Sequence, residues 1–149
     1  MNKYEINSST LALIALDNLN TKVLEENNIY IVNQSVKEII NHSCKYFGSS
    51  YLGRYEGTKE IIGINYKSPI IIEESKYIIF FPTSSVRNKK CNWISLNMIK
   101  DYKKYNNISK VIFKNNVELI LDISYGSLEN QILRSTLLES KIKKRKNNL

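Results

Sequence analysis

Ser35-Val-Lys-Glu38 leaves the next dozen residues little freedom. The Ser35 hydroxyl can accept from the Glu38 amide while the Glu38 carboxylate reaches back to the Ser35 amide, which is a capping box. Val36, Ile39, Ile40, Cys44 and Phe47 then recur at helical spacing, so one face must turn to a core. Gly48 stands where a left-handed residue ends a helix. The pattern predicts a helix over 36–47 that delivers the chain into Gly48-Ser-Ser-Tyr-Leu-Gly53. Lys37, Asn41 and Lys45 lie off the apolar stripe, and Lys45 complements the dipole in the last turn.

Around this helix the chain reads as short strands and turns. Leu11–Leu16 and Asn28–Val32 are apolar runs bounded by Asn and Asp. Residues 51–59 read as a loop with a helical turn, because Gly53 and Gly57 weaken a helix. Strands are expected at 69–72 and 77–81, the second ending at Pro82, and Thr83–Asn92 reads as a long loop. Trp93–Ile99 fits either a strand or a short helix. At 109–123 a hairpin is indicated, since Val111 and Phe113 share parity with Val117, Leu119, Leu121 and Ile123. Pairing Phe113 with Val117 leaves Lys114-Asn-Asn116 as the loop, with Asn116 left-handed.

A last helix is expected from Ser127, with Glu129 in its first turn. Its pairs Leu128/Ile132, Leu133/Leu137 and Leu138/Ile142 make a broad apolar band for a core or a second subunit. The helix is predicted over about 127–146, and residues 141–149 read as a fraying basic tail. The fold class is therefore α+β, a mostly antiparallel sheet with two helices, in a single domain spanning 1–149.

Charge narrows the partner. The net charge is +8, but residues 1–43 carry −2, 44–104 carry +6, 105–133 carry −1 and 134–149 carry +5. Two basic regions point to a polyanion. No apolar run is long enough to cross a bilayer and the N-terminus lacks signal-peptide character, so a cytoplasmic protein is expected. Cys44 and Cys91 read as buried thiols rather than a disulfide or a metal pair.

Catalysis is not expected. The lone histidine, His42, has no carboxylate or cysteine at ligand spacing, and no metal or phosphate-loop motif is present. Gly48-Ser-Ser-Tyr-Leu-Gly53 does not have the spacing of a nucleophile elbow. No cofactor is implied. Binding remains: Ser49, Ser50 and the amides of 48–50 are suited to phosphate oxygens, and Arg54, Arg87, Lys89 and Lys90 to neutralising others. Lys45 and Asn92, bordering these two stretches, complete the candidate set. A basic interaction or RNA-binding module is the competing reading.

Cys44-Lys-Tyr-Phe-Gly-Ser-Ser-Tyr-Leu-Gly-Arg54 with Gly57-Thr58 carries a resemblance. Ser68-Pro-Ile70, Phe81-Pro-Thr-Ser-Ser85, Cys91-Asn-Trp-Ile-Ser95, Ile123-Ser-Tyr125 and Leu128-Glu-Asn-Gln131 continue it. In order and spacing these segments resemble the ComK competence transcription factors of Bacillus-type bacteria. The resemblance implies an activator of DNA-uptake genes. Such proteins bind paired A·T-rich boxes in double-stranded promoter DNA, chiefly through the minor groove, as homodimers or higher oligomers. It makes a nucleoid-associated protein and RNA polymerase contact the natural expectations. It carries Ser49, Ser50 and Arg54 over as DNA contacts and places Arg87, Lys89 and Lys90 in a second loop, with their register open. Better-known members continue into an extension resembling a degradation handle for a MecA-type adaptor of the ClpC protease. This chain stops at Leu149, so that control is not assumed.

Overall fold

The apolar runs at 70–72 and 78–81 lack polar alternation because the strands they form are covered on both faces. The computed structural model describes residues 1–149. Strands β1 (Thr10–Ala15), β2 (Thr21–Glu25), β3 (Ile29–Val32), β4 (Ile70–Glu73), β5 (Ile78–Pro82) and β6 (Trp93–Ser95) form one sheet. Its order is β3-β2-β1-β6-β5-β4, with every neighbouring pair antiparallel. Two three-stranded meanders are thus joined where β1 meets β6.

Helices α1 (Val36–Tyr46) and α2 (Tyr51–Ile62) cover one face. There Phe80 and Trp93 pack with Ile39, Ile40 and Cys44. Phe81 and Ile94 point the other way, onto Val111, Phe113, Leu128 and Ile132. That second face is covered by α3 (Tyr125–Asn147) and a three-stranded sheet of β7 (Ile99–Tyr105), β8 (Ile108–Phe113) and β9 (Glu118–Leu121), in the order β7-β8-β9. Burying Phe80 on one side and Phe81 on the other contributes about 1.5–3 kcal/mol each and locks the strand register, since a one-residue slip would exchange the two faces.

The α+β class and the mostly antiparallel pairing agree with the sequence reading. So do the capping box at Ser35 and Glu38 and the left-handed Gly48, at φ 89°. The hairpin closes with Phe113 N donating to Val117 O at 2.9 Å and Asn116 at φ 69°.

Several expectations fail for physical reasons. The 51–59 segment is not a loop but most of α2. Ser50 caps it by accepting from the Gly53 amide at 3.0 Å, Gly63 ends it at φ 72°, and Thr58 Oγ1 donates to Pro69 O at 2.7 Å. Trp93–Ile99 is both alternatives in series, β6 followed by a 3-10 turn at Leu96–Met98.

The last helix begins two residues earlier than expected, capped by Ser124, whose Oγ accepts from the Ser127 amide at 3.1 Å. Glu129 lies beyond its first turn and accepts from the Tyr125 hydroxyl at 3.0 Å instead. The helix continues to Asn147, so the basic segment expected to fray is helical as far as that residue. The apolar band divides: Leu128, Ile132, Leu138 and Ile142 are buried, whereas Leu133 and Leu137 are 59% and 44% exposed on the outer side.

Candidate nucleic-acid interface

Lys37, Asn41 and Lys45 repeat every four residues along the flank of α1, outside the buried row of Val36, Ile39, Ile40 and Cys44. Asn41 Oδ1 accepts from the Tyr51 amide at 2.9 Å, which fixes the first turn of α2 against α1. Tyr51 then packs edge-on against Trp93, with ring centroids 6.4 Å apart, so the start of α2 is anchored to the core through β6.

The 83–92 loop closes the third side. Thr83 N donates to Asn92 O at 2.8 Å and Asn92 N donates to Thr83 Oγ1 at 3.1 Å, so the base of the loop is clamped. Within it, Asn88 N donates to Ser85 O and Cys91 N to Asn88 O, giving two successive turns. Cys91 is buried and Val86 half-buried, which leaves Arg87, Asn88, Lys89 and Lys90 outside.

Between these elements lie two adjoining hollows of about 680 and 290 Å3, both lined by Lys37, Val86 and Trp93. The larger one adds Lys45, Ser50, Tyr51 and Leu52; the smaller adds Arg87 and Lys89. Four exposed cations therefore rim one apolar-floored depression, and none of them is in an ion pair. Unpaired cations around a concave wall concentrate positive potential. Two carboxylates share the rim. Glu38 is held in the capping box. Asp17 accepts from the Leu19 amide, which, with the Asn20 side chain, holds its carboxyl below the ordinary value and keeps it charged.

Residues 1–147 match the family model described as "ComK protein". The chain belongs to the ComK family. The competence transcription factor of Bacillus subtilis (strain 168) is 36% identical to it over 149 residues, covering 97% of this chain and 78% of that protein. No solved structure matches it.

In this ComK-family chain the candidate contacts do not all converge. Lys45, Ser50, Arg87 and Lys89 come together at the hollows. Lys90 is exposed on the same loop but outside their lining. Asn92 is a support: its Oδ1 accepts from the Ala15 amide at 2.9 Å, tying the loop base to β1.

Two of the three amides of the expected cradle are engaged elsewhere. Gly48 N donates to Lys45 O at 3.0 Å and Ser49 N to Cys44 O at 2.9 Å, so both amides serve the end of α1. Ser50 Oγ accepts within its own helix cap, and its hydroxyl proton stays free to donate to a ligand.

Arg54, expected to neutralise phosphate, has a side chain only 16% exposed. Its Nη1 donates to Glu74 at 2.9 Å, and its Nε is enclosed without a partner. It faces Glu73, Glu74 and Lys146 rather than the 83–92 loop.

The carboxyl-terminal cations of α3 are partly consumed in the same way. Lys143 and Lys146 lie 4.9 and 4.6 Å from the centre of the Tyr77 ring, and Lys146 Nζ donates to Glu74 O at 3.1 Å. His42, which looked isolated in sequence, has Nε2 3.1 Å from Glu5 Oε1, on the side chain of a residue far away in the chain.

Sequence reasoning missed Lys37 and Asn41 as parts of the interface. The four-residue spacing of Lys37, Asn41 and Lys45 was visible, but nothing in the sequence placed that flank opposite Arg87 and Lys89.

Proposed function

We propose that this ComK-family chain is a DNA-binding transcription activator of competence genes. It docks the face rimmed by Lys37, Lys45, Arg87 and Lys89 on A·T-rich duplex DNA, chiefly through the minor groove. The observation that carries this reading is the gathering of these four unpaired cations, from α1 and from a clamped loop, around one depression. The name of the Bacillus subtilis relative, a competence transcription factor, supports the biological role. Narrow A·T grooves carry an enhanced negative potential that favours inserted Arg and Lys. Their reading separates A·T from G·C and needs no long recognition helix. In this reading the protein acts in the cytoplasm on the nucleoid, as a homodimer or higher oligomer, and meets RNA polymerase at the promoter.

The test is competition between matched A-tract and G·C-rich duplexes, followed by displacement with a small minor-groove ligand. The A-tract duplex should win, and the groove ligand should displace the protein. Equal affinity for both duplexes would remove the minor-groove assignment.

A further inference from the structure

We infer that Leu52 is a wedge that enters the DNA and opens a base step; this rests on the DNA-binding reading above. The exposed side of α2 carries Glu56 and Glu60 against a single cation, Lys59, so its length is net negative and disfavours phosphates. Only its amino-terminal tip bears no carboxylate, and that tip shares a hollow with Lys45, Lys37 and the Glu38 held in the capping box. The helix must therefore meet DNA end-on rather than lie along a groove.

Leu52 is the side chain that such an approach presents first. It is 61% exposed, on the first turn, next to an exposed Gly53 that adds no bulk. Its backbone is held firmly. Ser50 caps the turn, the Tyr51 amide is bonded to Asn41, and the Tyr51 ring is seated against Trp93. A wedge needs that rigidity, because unstacking costs a few kcal/mol per step and a loose side chain would fold away.

Other exposed apolar side chains lack this setting. Leu133 and Leu137 lie on α3, and Ile29 and Ile31 on the β3 edge, none of them lining the two hollows. Leu19, 70% exposed at the β1–β2 turn, is two residues from the charged Asp17, which repels phosphate. An apolar side chain between cations is the combination that groove-kinking proteins use.

The test uses an A·T-rich duplex with 2-aminopurine at a TpA step, the most easily unstacked kind, and a donor–acceptor pair at its ends. Wild type should raise the 2-aminopurine fluorescence and bend the duplex, within about 20–90°. Leu52→Ala should melt like wild type and keep the salt dependence of binding. It should lose the fluorescence rise and most of the bend, with affinity reduced by up to about tenfold. Leu52→Phe should retain both signals, and Leu19→Ala should leave them unchanged.

Unstacking and bending that persist in Leu52→Ala overturn the wedge, as does tight A·T-selective binding by wild type with neither signal. In both cases the DNA reading stands. Transfer of the effect to Leu19→Ala also overturns it. Absence of A·T-selective, salt-sensitive binding by wild type removes the DNA reading and the wedge with it.

Discussion

Removing Lys37 alone should change how steeply DNA binding responds to salt. Each phosphate neutralised by a cation releases condensed counterions, and the logarithm of affinity falls by about 0.9 per logarithm of salt for each such contact. Lys37, Lys45, Arg87 and Lys89 rim the hollows and are free of ion pairs. With all of them engaged, the slope for one protomer is about −3.6, and affinity falls about 150-fold between 50 and 200 mM salt. Lys37→Ala should lower the slope to about −2.7 and that ratio to about 40-fold. The fold should be untouched, since an exposed unpaired lysine contributes within about 0.5 kcal/mol of nothing. Arg54→Ala is the paired control. Its guanidinium is spent on Glu74, so the slope should stay at the wild-type value. Fluorescence anisotropy of a labelled A·T-rich duplex over a salt series reads both numbers. If Arg54→Ala removes one contact while Lys37→Ala and Lys45→Ala remove none, the interface lies on the Glu74 side and the assignment is wrong.

On α3, Leu138→Ala should cost about 2–5 kcal/mol in urea unfolding, because Leu138 is fully buried against Ile71 and Ile79. Leu137→Ala, one residue away, should change stability by no more than about 0.5 kcal/mol, and equal losses would contradict the division of the apolar band. Burial pushes the Cys44 thiol from an ordinary value of 9.0 up to about 11. The folded chain keeps a proton that the unfolded chain gives up, so this contribution is intact below about pH 9 and is lost as pH rises toward 11. Cys91 is raised by burial too and adds to the same limb. Unfolding free energies measured from pH 8 to 11 should fall, and less so in Cys44→Ala; a flat profile would show that the thiols are not sealed.

How much of the fold the sequence revealed depended on whether the signal was local. α1 was legible because the capping box, the apolar stripe and Gly48 all lie within or beside its own length. α2 was not, because its half-buried apolar side chains serve two partners. Tyr51 and Tyr55 face the main core, while Ile61 and Ile62 face Leu138 and Ile142 of α3. No single stripe results, and the glycines argued against a helix that caps at both ends sustain. β7 was missed because it sends mainly Tyr102 and Ile99 inward, too little to make an alternating pattern. In the candidate site, the loop cations could be read from charge and turn residues. The part played by Ser50 and Arg54 could not. Whether a serine caps a helix or holds a phosphate, and whether an arginine reaches solvent or Glu74, depends on residues that meet only after folding.

The junction of β1 with β6 decides when the two halves of the proposed interface come together. The first meander can pair as soon as β1, β2 and β3 have left the ribosome, but its union with the second must await Trp93 and Ile94, which pair with Leu13 and Ala12. Closing so long a loop carries an entropic penalty that local pairing does not. The cationic face straddles this junction: Lys37 and Lys45 come from the segment between the meanders, Arg87 and Lys89 from the loop leading into β6. An unfinished or partly unfolded chain therefore holds only half of the charge in place. On the proposed reading, DNA binding would therefore require the finished sheet, and a chain cut before β6 should bind an A·T-rich duplex weakly.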